Sequence, residues 1–345
     1  MNKIDIVSLS LEELEQEMLK ISEKKFRAKQ VYEWLHIKNA SSFNEMTNIS
    51  KELRIKLDEF FCIKQIIIKK RLESSMDNTV KYLYELEDGN FVETVLMNYN
   101  HGNSICVSTQ VGCKMGCKFC ASAIAGYVRN LTPSEMLAQV YFSEKDSEKK
   151  ISRIVLMGIG EPLDNFENVI KFINLITDKN GHNISQRHVT LSTCGLIPEI
   201  IELANIDLNI TLSISLHATT NKQRNKLMPV NTKYNLEDLM AACKLYSEKT
   251  KRRITFEYAV ISKVNSSYED ALMLSKLIKN INAHVNLIAV NTVKERDFYA
   301  TEKSVKQFKE MLEKLGVNAT LRRKLGTDIN AACGQLRREE SKENI

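Results

Sequence analysis

Apolar side chains recur at helical spacing through the first sixty residues. Leu11, Leu14, Met18 and Ile21 form one stripe. Phe26, Val31, Trp34 and Leu35 form a second, and a third short helix is predicted from Ser50 to Phe60. Residues 1–62 therefore read as a small helical module. Residues 63–100 change character. QIIIKKRLE, TVKYLYELE and FVETVLMN are rich in β-branched and aromatic residues, and Asp88-Gly89 between the last two is a hairpin signal. They read as a small antiparallel linker between two domains. From residue 101 onward strands alternate with helices. ICVST, RIVLMG, HVTLST, ITLSISLH, RITFEYAVI and HVNLIAVN are predicted strands, and NATLRRKL a last one. Helices are predicted after Thr132-Pro133, Phe166 and Pro198, and over 236–249, 268–279 and 302–315. Thr132, Pro133 and Glu135 supply an N-cap, a first helical position and a capping-box acid. Six βα units with right-handed crossovers predict an α/β fold, a partial (βα)6 barrel over 101–325 that stays open on one side. A charged segment, 326–345, follows.

Composition narrows the class. The 345 residues are 43% hydrophobic, ordinary for a chain with a sizeable core. No run of about 18 apolar residues marks a membrane span. The N-terminus carries acids and no apolar signal core, so a cytoplasmic, membrane-free protein is expected. Nothing marks an obligate interface, and a monomer is expected. Lys and Arg number 49 against 43 Asp and Glu, a net charge of +6. The basic residues cluster at Lys24–Lys29, Lys69–Arg71, Lys251–Arg253, Arg322–Lys324 and Arg337-Arg338. Any one cluster is ordinary solvated surface; together they favour a polyanion such as RNA modestly.

The cysteines carry the chemistry. There are eight: Cys62, Cys106, Cys113, Cys117, Cys120, Cys194, Cys243 and Cys333. In a cytoplasmic chain they point to metal or catalysis rather than disulfides. Cys113, Cys117 and Cys120 form a CxxxCxxC directly after the first barrel strand, with Phe119 before the last. Three thiolates from one loop can hold three irons of a 4Fe-4S cluster. The fourth iron then stays open to chelate S-adenosylmethionine (SAM), whose one-electron cleavage yields a 5′-deoxyadenosyl radical. Zinc would need a fourth ligand, and no histidine follows in the loop. Cys106 could supply one, which keeps open a non-enzymatic iron–sulfur or zinc module that binds RNA and senses redox state. Polar residues line up at the C-terminal strand ends, where barrels place their sites. They are Gly160-Glu161, Ser192, Ser215, Leu216 and His217, and Asn291, all candidates to bind SAM. Cys194, Cys62 and Cys243 read as packing residues.

These segments match a family. ETVLM (93–97), ICVSTQVGCKMGCKFCAS (105–122), MGIGEPLDN (157–165), SLHA (215–218), KLMPVN (226–231) and DINAACGQL (328–336) resemble the RlmN/Cfr family of radical SAM RNA methyltransferases over nearly the whole chain. The resemblance implies two SAM molecules per turnover. One methylates Cys333, and the radical from the other takes a hydrogen from that S-methyl group. The methylene radical then adds to an adenine, and Cys106 releases the product through a transient disulfide with Cys333. Glu93 matches the family's proton acceptor. The implied substrates are an adenosine in the peptidyl-transferase centre of 23S rRNA and the adenosine 3′ of the anticodon in some tRNAs, with flavodoxin or ferredoxin as electron donor. The helical module would grip RNA through the Lys24–Lys29 cluster. Gln110-Val111-Gly112 and Gly160-Glu161-Pro162-Leu163 resemble the C2-methylating branch. C8 methylation with ribosomal antibiotic resistance is the alternative. Asn291-Thr292 stands where the C2 branch often has Asn-Pro.

Overall fold

The computed structural model describes residues 3–124, 126–290, 298–329 and 331. The N-terminal module follows its apolar stripes. β1 (Ile4–Asp5) leads into α1 (Leu11–Lys20), α2 (Lys25–His36), α3 (Lys51–Phe60) and β2 (Phe61–Cys62), and β1 and β2 close it as a parallel pair. Leu14, Met18 and Ile21 are buried, as are Val31 and Leu35. Phe26 departs from the expected packed face. It lies in the first turn of α2, is 54% exposed, and carries the Arg27 guanidinium 4.8 Å from its ring centre.

β3 (Ile66–Glu73), β4 (Val80–Leu86) and β5 (Phe91–Tyr99) form the expected antiparallel meander. Gly89 turns the β4–β5 hairpin at φ +76. β5 pairs antiparallel with β6 (Gly102–Cys106), so the meander extends the barrel sheet.

Beyond β6 come β7 (Gln110–Gly112) and β8 (Tyr127–Asn130), an antiparallel pair bracketing the cysteine loop. Then follow α4 (Pro133–Ser147), β9 (Ile151–Leu156), α5 (Phe166–Thr177), β10 (Val189–Thr193), α6 (Ile197–Leu203), β11 (Thr211–Ser215), α7 (Asn221–Leu227) and α8 (Leu236–Thr250). β12 (Ile254–Val260), α9 (Tyr268–Ile278), β13 (Ala283–Ala289), α10 (Glu302–Lys314) and β14 (Ala319–Leu321) complete the chain. One sheet runs β14-β13-β12-β11-β10-β9-β6-β5-β4-β3, parallel from β14 to β6. Its end strands do not pair among the described residues, so the barrel is open, as expected.

Outward-facing strand residues such as Leu191, Leu212, Ile214, Phe256 and Leu287 are fully buried under the helices. The inward face is unusual. Thr190, Thr211, Ser213, Thr255, Asn286 and Thr320, with Met97 and Met157, line a space of about 330 Å³ where barrels ordinarily pack branched apolar side chains. The helical module is bolted to the barrel through α4 and the end of α5. His36 Nδ1 lies 3.0 Å from the Tyr141 hydroxyl, and the Tyr32 hydroxyl donates to Asp178 at 2.9 Å.

Candidate active site

The cysteine loop hangs between β7 and β8 over the C-terminal strand ends. Its backbone is pinned at three places. Cys113 N–H donates to Gly126 O (3.1 Å), Cys120 N–H to Cys117 O (3.2 Å), and Lys118 N–H to Leu227 O at the end of α7 (2.8 Å). Cys113, Cys117 and Cys120 are half-buried and line one cavity of about 280 Å³ with Gly160, Glu161, Ser192, Ser215 and His217. The strand-end residues share one rim, as their positions in the sequence predict, and the cysteine loop faces them across the cavity. Burial, reinforced by the charges of its neighbouring thiols and acids, pushes the Cys113 thiol up to about 12 and Cys117 higher still. Such thiols ionise when a cation binds them, as the irons of a cluster would. Among the described residues no three His, Cys, Asp or Glu side chains converge on one metal-sized point. A cubane asks for no such convergence, because each thiolate takes a different iron.

Gly160 and Glu161 form the floor where β9 ends. Gly160 has φ +115, and a Cβ there would meet the Gln110 backbone nitrogen at 2.8 Å. Glu161 is buried, and burial raises its carboxyl pKa against the hydrogen bonds that lower it. Its oxygens accept from Cys194 N–H (2.8 Å) and Leu163 N–H (3.1 Å), while its own N–H donates to Gln110 Oε1 (2.8 Å). Cys194 is buried as expected, and its backbone also ties Glu161 to the end of β10. Ser192 and Ser215 offer hydroxyls beside them.

His217 has φ +57 and is buried. Its Nδ1 accepts from Ala259 N–H at 2.9 Å, which leaves the other nitrogen, Nε2, as the donor. Burial lowers its pKa to about 3, so it is neutral at physiological pH. The Phe119 ring meets it edge-on, 4.9 Å between centroids, joining loop to rim. Leu216 behaves differently from its neighbours. Its side chain is in the core, and its N–H is spent on Glu257 O at 3.0 Å. Asn291 and Cys333 lie outside the described residues.

Glu93 and Cys106 stand on the adjoining inner face of β5 and β6. Glu93 is buried and pairs with buried Lys81 at 3.0 Å. Cys106 packs with Val95 and Met97, and with the partly buried Met157, Leu325 and Ala331. Burial pushes its thiol to about 11, against the opposing charge of Arg322. Lys81, Arg224, Glu257 and Arg322 were not anticipated as site residues. Their roles come from how strands and helices pack against one another, which no local spacing rule marks.

A partial parallel barrel with a three-cysteine loop at its mouth is the architecture of radical SAM enzymes, and the radical SAM superfamily signature matches residues 107–274. The ribosomal RNA large subunit methyltransferase N-terminal domain matches residues 4–63. The chain is 53% identical to a Lachnoclostridium phytofermentans protein named "Probable dual-specificity RNA methyltransferase RlmN", over 97% of this chain and 95% of that protein. A Clostridium novyi protein of the same name is 52% identical, over 99% of both. The crystal structure of a radical SAM methyltransferase from Sphaerobacter thermophilus superposes with a TM-score of 0.92 at 36% identity, covering 96% of this chain and 98% of that one. The chain belongs to the RlmN family of radical SAM RNA methyltransferases. It is therefore an enzyme, and its chemistry draws on a 4Fe-4S cluster and SAM. Among the described residues no helix is long and apolar enough to cross a membrane.

Proposed function

We propose that the enzyme methylates C2 of one adenosine in the peptidyl-transferase centre of 23S rRNA and of the adenosine 3′ of the anticodon in some tRNAs, through a methylated Cys333. Cys113, Cys117 and Cys120 hold the cluster. Gly160, Glu161, Ser192, Ser215, Leu216, His217 and Asn291 hold SAM. The cluster supplies the electron that cleaves SAM, and two SAM molecules serve each turnover. Flavodoxin or ferredoxin supplies that electron.

Adenine C2 is electron-poor and is no nucleophile, so a simple displacement by SAM does not methylate it. A carbon carried on Cys333 sulfur bypasses this. One hydrogen atom passes from the S-methyl group to the deoxyadenosyl radical, the remaining methylene radical bonds to C2, and the adduct gives up one electron and, to Glu93, the C2 proton. The Cys106 thiolate then attacks the Cys333 sulfur, forming an S–S bond as the C–S bond breaks, and the released methylene carbon takes a proton to become the methyl group.

One observation carries the reading. Ala331 packs in the cluster that contains Cys106. Two further residues span at most about 7 Å, a length short enough for the pairing proposed between Cys333 and Cys106. The decisive assay is anaerobic. Reconstituted protein, SAM, reductant and deproteinised rRNA should yield 2-methyladenosine by mass spectrometry. Obtaining 8-methyladenosine instead would assign the alternative branch. In the same assay Cys106→Ala should accumulate RNA crosslinked to Cys333, and Cys333→Ala should cleave SAM without methylating RNA. Crosslinked RNA in wild type but not in Cys106→Ala would remove Cys106 from the resolving role.

A further inference from the structure

We infer that Arg224 is a positioning residue that locks the SAM-binding strand ends to the cysteine loop, through a fork of hydrogen bonds reaching from α7. The inference rests on the reading of the three loop cysteines as cluster ligands and of the barrel rim as the SAM site.

Arg224 has no exposed surface. Its Nη2 donates to Cys194 O (2.6 Å) and Ser215 O (3.2 Å), its Nε to Leu216 O (3.2 Å), and its Nη1 to Asn231 Oδ1 (2.9 Å). Three of those acceptors are backbone carbonyls at the ends of β10 and β11, beside Glu161 and His217. The same helix supports the loop. Leu227 O accepts from Lys118 N–H at 2.8 Å, and Gly116 lies against the Pro229 ring. One short segment, 224–229, therefore touches both halves of the site.

No acidic partner competes for the fork. Among the described residues no Asp or Glu pairs with Arg224, so its donors are committed to the strand-end carbonyls and to Asn231.

Substitution separates the fork from the charge. Arg224→Lys keeps a charge but offers three tetrahedral donors instead of a planar five-donor fork. Arg224→Met removes both. We would reconstitute both variants and wild type, and measure iron content and SAM dissociation constant. Arg224→Lys should retain iron while binding SAM about tenfold more weakly, the loss expected for roughly one good hydrogen bond. Arg224→Met should weaken SAM binding at least as much. Wild-type SAM affinity in Arg224→Lys, with only a lower melting temperature, would overturn the proposal. If Arg224→Met does not fold, SAM affinity of Arg224→Lys decides alone. Cys117→Ala serves as the control: iron retained there would overturn the cluster-ligand reading, while Arg224→Lys would still judge the positioning role.

Discussion

Glu161 accepts from the N–H groups of Cys194 and Leu163 and from the side chains of Thr193 and Cys194, and it lines the cavity beside the three loop cysteines. Glu161→Gln turns one acceptor into an NH₂ that faces an N–H donor. The expected cost is about 1–3 kcal/mol of stability, visible in denaturant unfolding, with weaker SAM binding by calorimetry. A variant with wild-type SAM affinity would show that Glu161 only ties β9 to β10. Gly160→Ala should be worse for binding, because a Cβ has no room against Gln110. Lys81 and Glu93 make a sharper case. Both are buried and they pair at 3.0 Å. Removing one partner of such a pair typically costs about 3–5 kcal/mol, so Lys81→Met should lower the unfolding midpoint well beyond what surface lysines do. The three loop cysteines were legible because a cluster loop is local in sequence. Lys81 was not, since its meaning comes from β4 lying beside β5.

At the scale of elements, helix ends were the most legible features. The Thr132–Glu135 capping box forms as predicted, with Thr132 N–H on Glu135 at 2.9 Å and Glu135 N–H on Thr132 Oγ1 at 3.4 Å. α7 was invisible. NKQRNKL has no apolar stripe, and its large buried side chain is an arginine. The β7–β8 pair was hidden for a different reason: its two strands are only three and four residues long and flank the cysteine loop. The joint between α2 and α4 carries a pH prediction. His36 is fully buried, and desolvation lowers its pKa from 6.5 to about 3. Between those values the unfolded chain binds a proton that the folded chain refuses. The stability His36 contributes is thus fully present above pH 6.5 and is lost as pH falls toward 3, by up to about 1.4 kcal/mol per pH unit. His36→Gln can still bond Tyr141 but cannot titrate. Urea unfolding from pH 7 to pH 4 should show a shallower loss in His36→Gln than in wild type. Equal slopes would place the acid sensitivity elsewhere, with buried His217 the next candidate.

Across the whole molecule, the meander and the C-terminal segment act on each other. The turn between β3 and β4 holds the segment that precedes Cys333. Asp328 accepts from the Ser74 hydroxyl (2.7 Å) and from Ser75 N–H (3.0 Å), and Asp77 accepts from Gly326 N–H (2.8 Å). Gly326 turns the chain at φ +59, and any Cβ there would strike Ala331. About 250 residues of sequence separate these partners, which is why no spacing rule could pair them. Their effect is to deliver Ala331 to the cluster around Cys106. The antiparallel strands that read as a linker are thus the clasp for the segment that leads toward Cys333. If so, loosening the clasp should uncouple two steps that share one active site. On the proposed mechanism, SAM cleavage needs only the barrel rim and the loop cysteines, while transfer to RNA also needs Cys333 within reach of both Cys106 and the base. Asp328→Ala should therefore retain cluster content and 5′-deoxyadenosine release while methylated RNA falls severalfold. A product ratio of deoxyadenosine to methyladenosine that stays at the wild-type value would show that the segment finds its place without the clasp, guided by the RNA itself.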